Sequence, residues 1–308
     1  MTDWLQPADE RPHELGTEQL WSESWYLDFH DRAGAIGGYV RVGRYPNLGV
    51  VWYWATVVGP DRRTVLVADH EVPVPSGSSL ELRAPGLWAD HNIETPLEHF
   101  SLGLEAFGVA LDDPADAYRG MRGDRTALGF DLEWETDGEV FPWPAGFDRY
   151  EIPCRVHGEV LVGEERIELD GFGQRDHSWG VRDWWSTAWC WNAFRMDDGR
   201  RFHTVSVRPH GGYAIGYDQH PDRGLQVVTR AEVVEELGPE GIPTRAVATI
   251  EGRRYDIEPL AWAPLLLVAP DGRESRFPRA LARFTDDETG IGGLGWIEFN
   301  QPPPAPVG

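Results

Sequence analysis

Sixteen residues, Asp170–Trp185, read DGFGQRDHSWGVRDWW and lie between two long series of predicted β-strands. The strand segments on either side, such as Gly49–Val58 and Ala188–Met196, are rich in β-branched and aromatic residues and are bounded by Gly, Pro and Asp. Apolar residues at helical spacing are scarce. The sequence therefore predicts an all-β protein built from sandwiches or barrels.

Two aromatic segments indicate an internal duplication. Trp25–Asp31 and Trp191–Gly199 each form a strand with a central phenylalanine and end in an acidic turn. This likeness predicts two similar β-domains in tandem. We place the N-terminal domain at 1–165 and the C-terminal domain at 166–308, with the DHSWG motif in the second.

Composition narrows the classes of partner. The 308 residues carry a formal net charge of −23, which argues against binding to nucleic acid or anionic membranes. Cys154 and Cys190 do not form a disulfide framework, and whether they pair is left open. No apolar run is long enough to span a bilayer, and the N-terminus lacks a signal-peptide pattern. We expect a soluble cytoplasmic protein, and a homodimer is left open.

The motif Asp176–Gly180, DHSWG, is the main candidate for catalysis. A histidine acts as general acid or base near neutral pH, and an adjacent carboxylate can fix its tautomer. Neighbours on a regular strand point to opposite faces, so Asp176 and His177 cooperate only if the chain bends there. Arg175 or Arg182 would keep Asp176 ionised, whereas burial would favour the neutral acid. Asp176 and His177 are the predicted catalytic residues.

A tryptophan cluster surrounds this motif. Such residues form walls for large apolar ligands and stabilise cations, although they also form barrel cores. The predicted substrate-binding residues are Trp179, Trp184, Trp185, Trp189, Trp191, Arg175 and Arg182. By parity, Trp185, Trp189 and Trp191 are expected to share one strand face.

Metal binding is a less favoured hypothesis. Acid–histidine pairs at 69–71, 90–94 and 98–99 could supply two histidines and one carboxylate. No HxH or HExxH spacing is present, so we predict neither a metal nor a cofactor.

Three segments, GFGQRDHSWGVRDWW, AWCWNAF and GLGWIEFNQP, resemble the lipocalin-like superfamily of hydroxyneurosporene synthase and AttH, which includes bacterial carotenoid 1,2-hydratases. Fungal Diels–Alderases share a similar two-domain architecture. The resemblance implies two lipocalin-like β-domains, a pocket in or between them, and cofactor-free chemistry on polyenes or terpenoids.

In the carotenoid hydratases a His-x-Trp pair is functional, and His177 and Trp179 match it. Those enzymes also use an aromatic-x-Asp pair on a following strand as the acid. Here Phe202–Ser206 reads FHTVS and has no aspartate, so Asp176 would have to supply the proton.

These observations predict a cofactor-independent lyase or isomerase: a hydratase, dehydratase or cyclase. Its substrate would be an apolar terpenoid- or polyene-like molecule. The alternative is a non-catalytic lipocalin-like protein that binds a hydrophobic small molecule.

Overall fold

The computed structural model describes residues 4–208, 213–269 and 271–303, except for the side chain of Tyr213. In these ranges the chain forms β-strands, four short 3-10 helices (Pro7–Glu10, Pro46–Leu48, Pro114–Tyr118 and Pro239–Gly241) and no α-helix. The predicted all-β fold is confirmed. None of these helices is long and apolar enough to cross a membrane.

The chain divides into two compact units. Unit 1 comprises Met1–Asp112 and Gly123–Arg182, and unit 2 comprises Asp113–Arg122 and Asp183–Gly308. The division falls after Arg182 and not between residues 165 and 166, because the long strand Glu165–Val181 pairs on both sides with strands of unit 1. The DHSWG motif therefore lies in unit 1. The short segment Asp113–Arg122, which stands between two strands of unit 1 in the sequence, belongs to unit 2.

Unit 1 is a ring of antiparallel strands. Its strands are β1 Trp21–Asp31, β2 Gly37–Tyr45, β3 Val50–Gly59, β4 Arg62–Pro73, β5 Glu81–Ala84, β6 Leu87–Thr95, β7 His99–Leu111, β8 Gly123–Thr136, β9 Phe141–Pro142, β10 Arg149–Val162 and β11 Glu165–Val181. They pair in the order β4-β3-β2-β1-β11-β10-β8-β7-β6-β5, with β9 beside β10. The first strand in this order, β4, also pairs with the eighth strand, β7. These eight strands therefore form a closed ring.

Unit 2 is a closed eight-stranded barrel. The barrel order is β12-β13-β14-β15-β16-β17-β20-β21, and β18 and β19 form a separate pair. These strands are β12 Ala188–Met196, β13 Arg201–Arg208, β14 Tyr213–His220, β15 Gly224–Leu237, β16 Pro243–Ile250, β17 Arg253–Trp262, β18 Leu265–Val268, β19 Glu274–Phe277, β20 Arg279–Asp286 and β21 Gly292–Asn300. The predicted tandem of β-domains corresponds to these two units.

Alternation along β1 defines the core of unit 1. Trp25, Leu27 and Phe29 point to the same face and belong to one large apolar cluster, which also contains Trp134 and Tyr150. The two cysteines are buried and free: Cys154 lies in the core of unit 1 and Cys190 in that of unit 2.

Gly173 allows β11 to approach β1 closely. A Cβ atom built on Gly173 would lie 2.0 Å from the backbone oxygen of Asp28. That oxygen also accepts a 2.7 Å hydrogen bond from Nε1 of Trp134, and the Asp28 carboxylate accepts one from the backbone N–H of Gln174. A side chain at position 173 would therefore push apart the strand that carries the DHSWG motif and its neighbour.

We expect Gly173→Ala to lower the free energy of unfolding by about 1–3 kcal/mol or more, because a rigid backbone atom occupies the space that the methyl group needs. Chemical unfolding measures the loss. Gly103→Ala is the control, because its new methyl group would meet only the Trp88 side chain, at 3.1 Å. Equal losses in the two variants would contradict this account.

Candidate functional site

Strand β11 carries the whole DHSWG motif. Its register with β1 is continuous, with Trp25 opposite His177, Tyr26 opposite Asp176 and Glu23 opposite Trp179. Directly opposed residues share a sheet face, so His177 and Trp179 lie on the core face with Trp25. Asp176 points to the other face. The structure therefore does not bring the two predicted catalytic residues together.

The carboxylate that contacts His177 is Glu23. Nε2 of His177 lies 3.0 Å from Oε1 of Glu23, and both side chains are buried. When Nε2–H donates to this carboxylate, Nδ1 of the neutral ring accepts from the Tyr150 hydroxyl at 3.3 Å. Glu23, and not the adjacent Asp176, is thus the carboxylate that can fix the tautomer of His177.

A second histidine completes the cluster. Nδ1 of His13 lies 2.8 Å from Oε1 of Glu23, and the backbone N–H of His13 donates to the same carboxylate. His13 precedes β1 and comes from the N-terminal segment. Glu23 therefore links two imidazoles, and we call His13, Glu23, His177 and Tyr150 the His–Glu–His cluster.

Each imidazole of the cluster stacks on an indole. The rings of His177 and Trp25 are 4.3 Å apart with an interplanar angle of 19°, and those of His13 and Trp179 are 3.7 Å apart at 16°. Trp4 packs edge-on against Trp179. An indole face attracts a nearby positive charge, so both rings lie beside surfaces that can stabilise a cation.

Burial and hydrogen bonding set the charges of the cluster. Burial alone would raise the pKa of Glu23, but hydrogen bonds from His13 and His177 bring it below its usual value. Burial lowers the pKa of His177, against the opposing effect of Glu23. Burial raises the pKa of Tyr150 well above its usual value. At neutral pH Glu23 is therefore an ionised carboxylate and Tyr150 a neutral phenol.

Glu10 anchors the N-terminal segment beside this cluster. Its carboxylate accepts hydrogen bonds from Arg175 and from the backbone N–H of Leu97, and its backbone oxygen accepts one from Nε1 of Trp25 at 3.1 Å. Burial lowers the pKa of Arg175 to about 9, which still leaves the guanidinium charged at neutral pH. Arg175, predicted to bind substrate, thus holds the segment that carries His13.

Asp176 belongs to a separate polar network on the other face of β11. Its carboxylate accepts a 2.7 Å hydrogen bond from Arg149, which also donates to Glu151. Gln174 donates to Glu151 as well. Burial by itself would lower the pKa of Arg149, but Asp176 and Glu151 raise it above its usual value. Arg182, another predicted substrate-binding residue, donates to Ser178 at 3.1 Å.

The predicted tryptophan wall is divided between the units. Trp179 lies in unit 1, whereas Trp184, Trp185, Trp189 and Trp191 lie in unit 2. Trp189 and Trp191 share a face of β12, but Trp185 precedes that strand, and its Nε1 donates to the backbone oxygen of Leu267. Trp189 lines a cavity of about 370 Å³ in unit 2, together with Ser186, Ala188, Arg208, Phe299, Asn300, Gln301, Pro302 and Pro303.

The acid–histidine pairs at 69–71 and 90–99 do not assemble into a metal site within the described ranges. His70 accepts from Nε1 of Trp54, His91 contacts the backbone oxygen of Leu80, and His99 contacts Glu133. Among the described residues, the one group of three or more ligand-type side chains with converging donor atoms is His13, Glu23 and His177.

A large antiparallel sheet followed by a closed eight-stranded barrel gives this chain a lipocalin-like β fold. It belongs to the family described as domain of unknown function DUF7064, whose profile matches residues 6–303. No curated protein sequence matches the chain significantly.

Several solved structures share the fold. A Nitrosomonas europaea protein with a provisional AttH assignment is 13% identical, with a TM-score of 0.65 over 94% of this chain and 97% of its own. Kievitone hydratase from Nectria haematococca is 11% identical, with a TM-score of 0.60 over 92% and 90%. CghA, solved with Sch210972, is 13% identical, with a TM-score of 0.54 over 92% and 89%. The predicted likeness to AttH-like proteins is confirmed for the fold.

Proposed function

We propose that the chain is a lyase or isomerase that adds water to, eliminates water from, or cyclises an apolar terpenoid- or polyene-like molecule. The observation that carries the proposal is the hydrogen-bonded series Tyr150–His177–Glu23–His13, in which one buried carboxylate joins two imidazoles. A hydrogen-bonded imidazole and carboxylate are typical of general acid–base catalysis.

The cluster offers two proton-carrying groups for one reaction. In the elimination of water, one group takes a proton from carbon while the carbon–oxygen bond breaks, and another donates a proton to the departing hydroxyl. His177 and His13 are suited to these roles because Glu23 can pass a proton between them. Hydration is the same sequence reversed.

The surroundings of the cluster favour an apolar substrate. Trp25 and Trp179 flank the imidazoles with their indole faces, and Trp4 extends this surface. Such faces bind hydrocarbon and stabilise positive charge that develops on carbon or on an imidazole. One protein with a similar fold is a hydratase by name, which is compatible with this chemistry. The finer assignment to carotenoid 1,2-hydratases rests on His177 and Trp179 alone.

The test is to incubate the purified full-length chain with a panel of hydroxylated and unsaturated terpenoids, polyenes and polyketides. Mass spectrometry then detects a gain or loss of one water, and chromatography detects isomers. We expect catalytic turnover of at least one compound, with more product than protein. If every compound of the panel is recovered unchanged, the proposal is overturned.

The cavity beside Trp189 supports a second candidate, a binding protein for a hydrophobic small molecule. Its lining combines the aromatic rings of Trp189 and Phe299 with Pro302 and Pro303, and it needs no acid–base group. In the same panel, this function predicts saturable quenching of tryptophan fluorescence by a compound that is recovered unchanged.

A further inference from the structure

We propose that His13, Glu23 and His177 form a binding site for a divalent transition-metal ion of the zinc class. Nδ1 of His13, Oε1 of Glu23 and Nε2 of His177 all lie within 4.8 Å of one another. The carboxylate oxygen is 2.8 Å from one nitrogen and 3.0 Å from the other. Zinc–ligand bonds of about 2.0–2.2 Å place neighbouring ligand atoms roughly 3 Å apart, so the carboxylate oxygen already lies at a suitable distance from both nitrogens.

The donor set matches the chemistry of such ions. Two imidazoles and one carboxylate are the protein ligands of several catalytic zinc sites and of non-haem iron sites. Three protein ligands leave further coordination positions for water. Imidazole nitrogen suits zinc, cobalt, nickel and iron better than it suits magnesium or calcium.

The outer contacts of both imidazoles support the same inference. A metal-bound histidine usually has a partner for its second ring nitrogen, which fixes the orientation of the ring. Nδ1 of His177 contacts the Tyr150 hydroxyl at 3.3 Å, and Nε2 of His13 lies 3.6 Å from a carboxylate oxygen of Asp9. Glu23 keeps its backbone hydrogen bond from His13 through Oε2, at 3.2 Å.

An ion can reach the site through His13. This side chain is 21% exposed, whereas those of Glu23 and His177 are almost fully buried. The net charge of −23 raises the concentration of cations around the chain.

Metal binding and proton transfer use the same atoms. A bound ion would replace the protons that lie between Glu23 and the two imidazoles, so the metal-loaded and proton-transferring forms of the cluster are alternatives. We therefore expect bound zinc to inhibit turnover, and this expectation rests on the proposed function. The uptake of zinc by the chain does not depend on the proposed function.

The experiment is calorimetric titration of the full-length, chelator-treated chain with zinc chloride, together with cobalt absorption spectroscopy. We expect one ion per chain and the visible absorption bands of cobalt bound by nitrogen and oxygen. His13→Ala should weaken zinc binding by at least about 100-fold, since loss of an outer contact alone can cost 10- to 100-fold. The matched control is His99→Ala, which removes a histidine from a half-buried pair with Glu133 that has no third ligand among the described residues.

Three outcomes separate the hypotheses. If the chain takes up no zinc, or if His13→Ala binds it as tightly as the natural chain, the metal site is overturned. If zinc binds as expected and turnover continues unchanged, the site stands and catalysis has been assigned to the wrong residues. If no compound in the panel is converted, the proposed function fails while the titration still decides the metal site. Circular dichroism of His13→Ala verifies that the variant is folded.

Discussion

His177→Gln is expected to reduce the turnover number by about 10²- to 10⁴-fold, the usual contribution of a general acid or base. Glutamine can still donate a hydrogen bond towards Glu23, but it cannot accept and release a proton. Because Nε2 of His177 is 3.0 Å from Glu23, Glu23→Gln should cause a loss of similar size. The measurement is the turnover number with a compound that the panel identifies, after circular dichroism shows that each variant is folded.

Two further variants decide whether the cluster is assigned correctly. His99→Gln removes a half-buried histidine outside the cluster and should leave turnover unchanged. Asp176→Asn alters the carboxylate on the opposite face of β11 and should have a much smaller effect than Glu23→Gln. If Asp176→Asn instead abolishes turnover while Glu23→Gln does not, the acid lies on the opposite face of the strand.

Glu10→Ala is expected to lower the free energy of unfolding by about 3–5 kcal/mol, because it leaves a buried charge without its counter-ion. Glu10 and Arg175 are both buried, and Nε and Nη2 of Arg175 have no hydrogen-bond partner among the described residues. The same change removes the acceptor for the backbone N–H of Leu97. Chemical unfolding of the full-length chain measures the loss.

The control for this prediction is Glu14→Ala, which removes an exposed glutamate from the same segment. It should change the free energy of unfolding by no more than about 0.5 kcal/mol. The double variant Glu10→Leu with Arg175→Met should recover part of the stability, because apolar side chains replace both buried charges. Equal losses from Glu10→Ala and Glu14→Ala would show that the buried ion pair contributes nothing measurable.

Local sequence pattern was enough to predict the fold class. Alternating apolar residues, aromatic and β-branched runs, and frequent turn residues depend only on neighbours along the chain. The same alternation predicts that Asp176 and His177 point to opposite faces of a regular strand, and the register between β1 and β11 agrees. The alternation could not locate the unit boundary, because that depends on which strands pair with Glu165–Val181.

The His–Glu–His cluster could not be predicted from short-range pattern, because its members are far apart in sequence. His13 stands in a polar N-terminal segment, Glu23 in an aromatic strand, and Tyr150 on another strand. One available signal was parity, since Glu23 shares a strand face with the apolar Trp25 and Leu27. A carboxylate on a core face needs a partner, but only the tertiary structure identifies it.

By itself, the sequence determined that this protein is built from β-strands and that two β-domains follow one another along the chain. These properties follow from local conformational preferences and from the twofold alternation of side chains along a strand. Only the tertiary structure decided that Glu23 and not Asp176 contacts His177, and that His13 joins them. The physical reason is that the register between β1 and β11, and the docking of the N-terminal segment by Glu10 on Arg175, are long-range interactions.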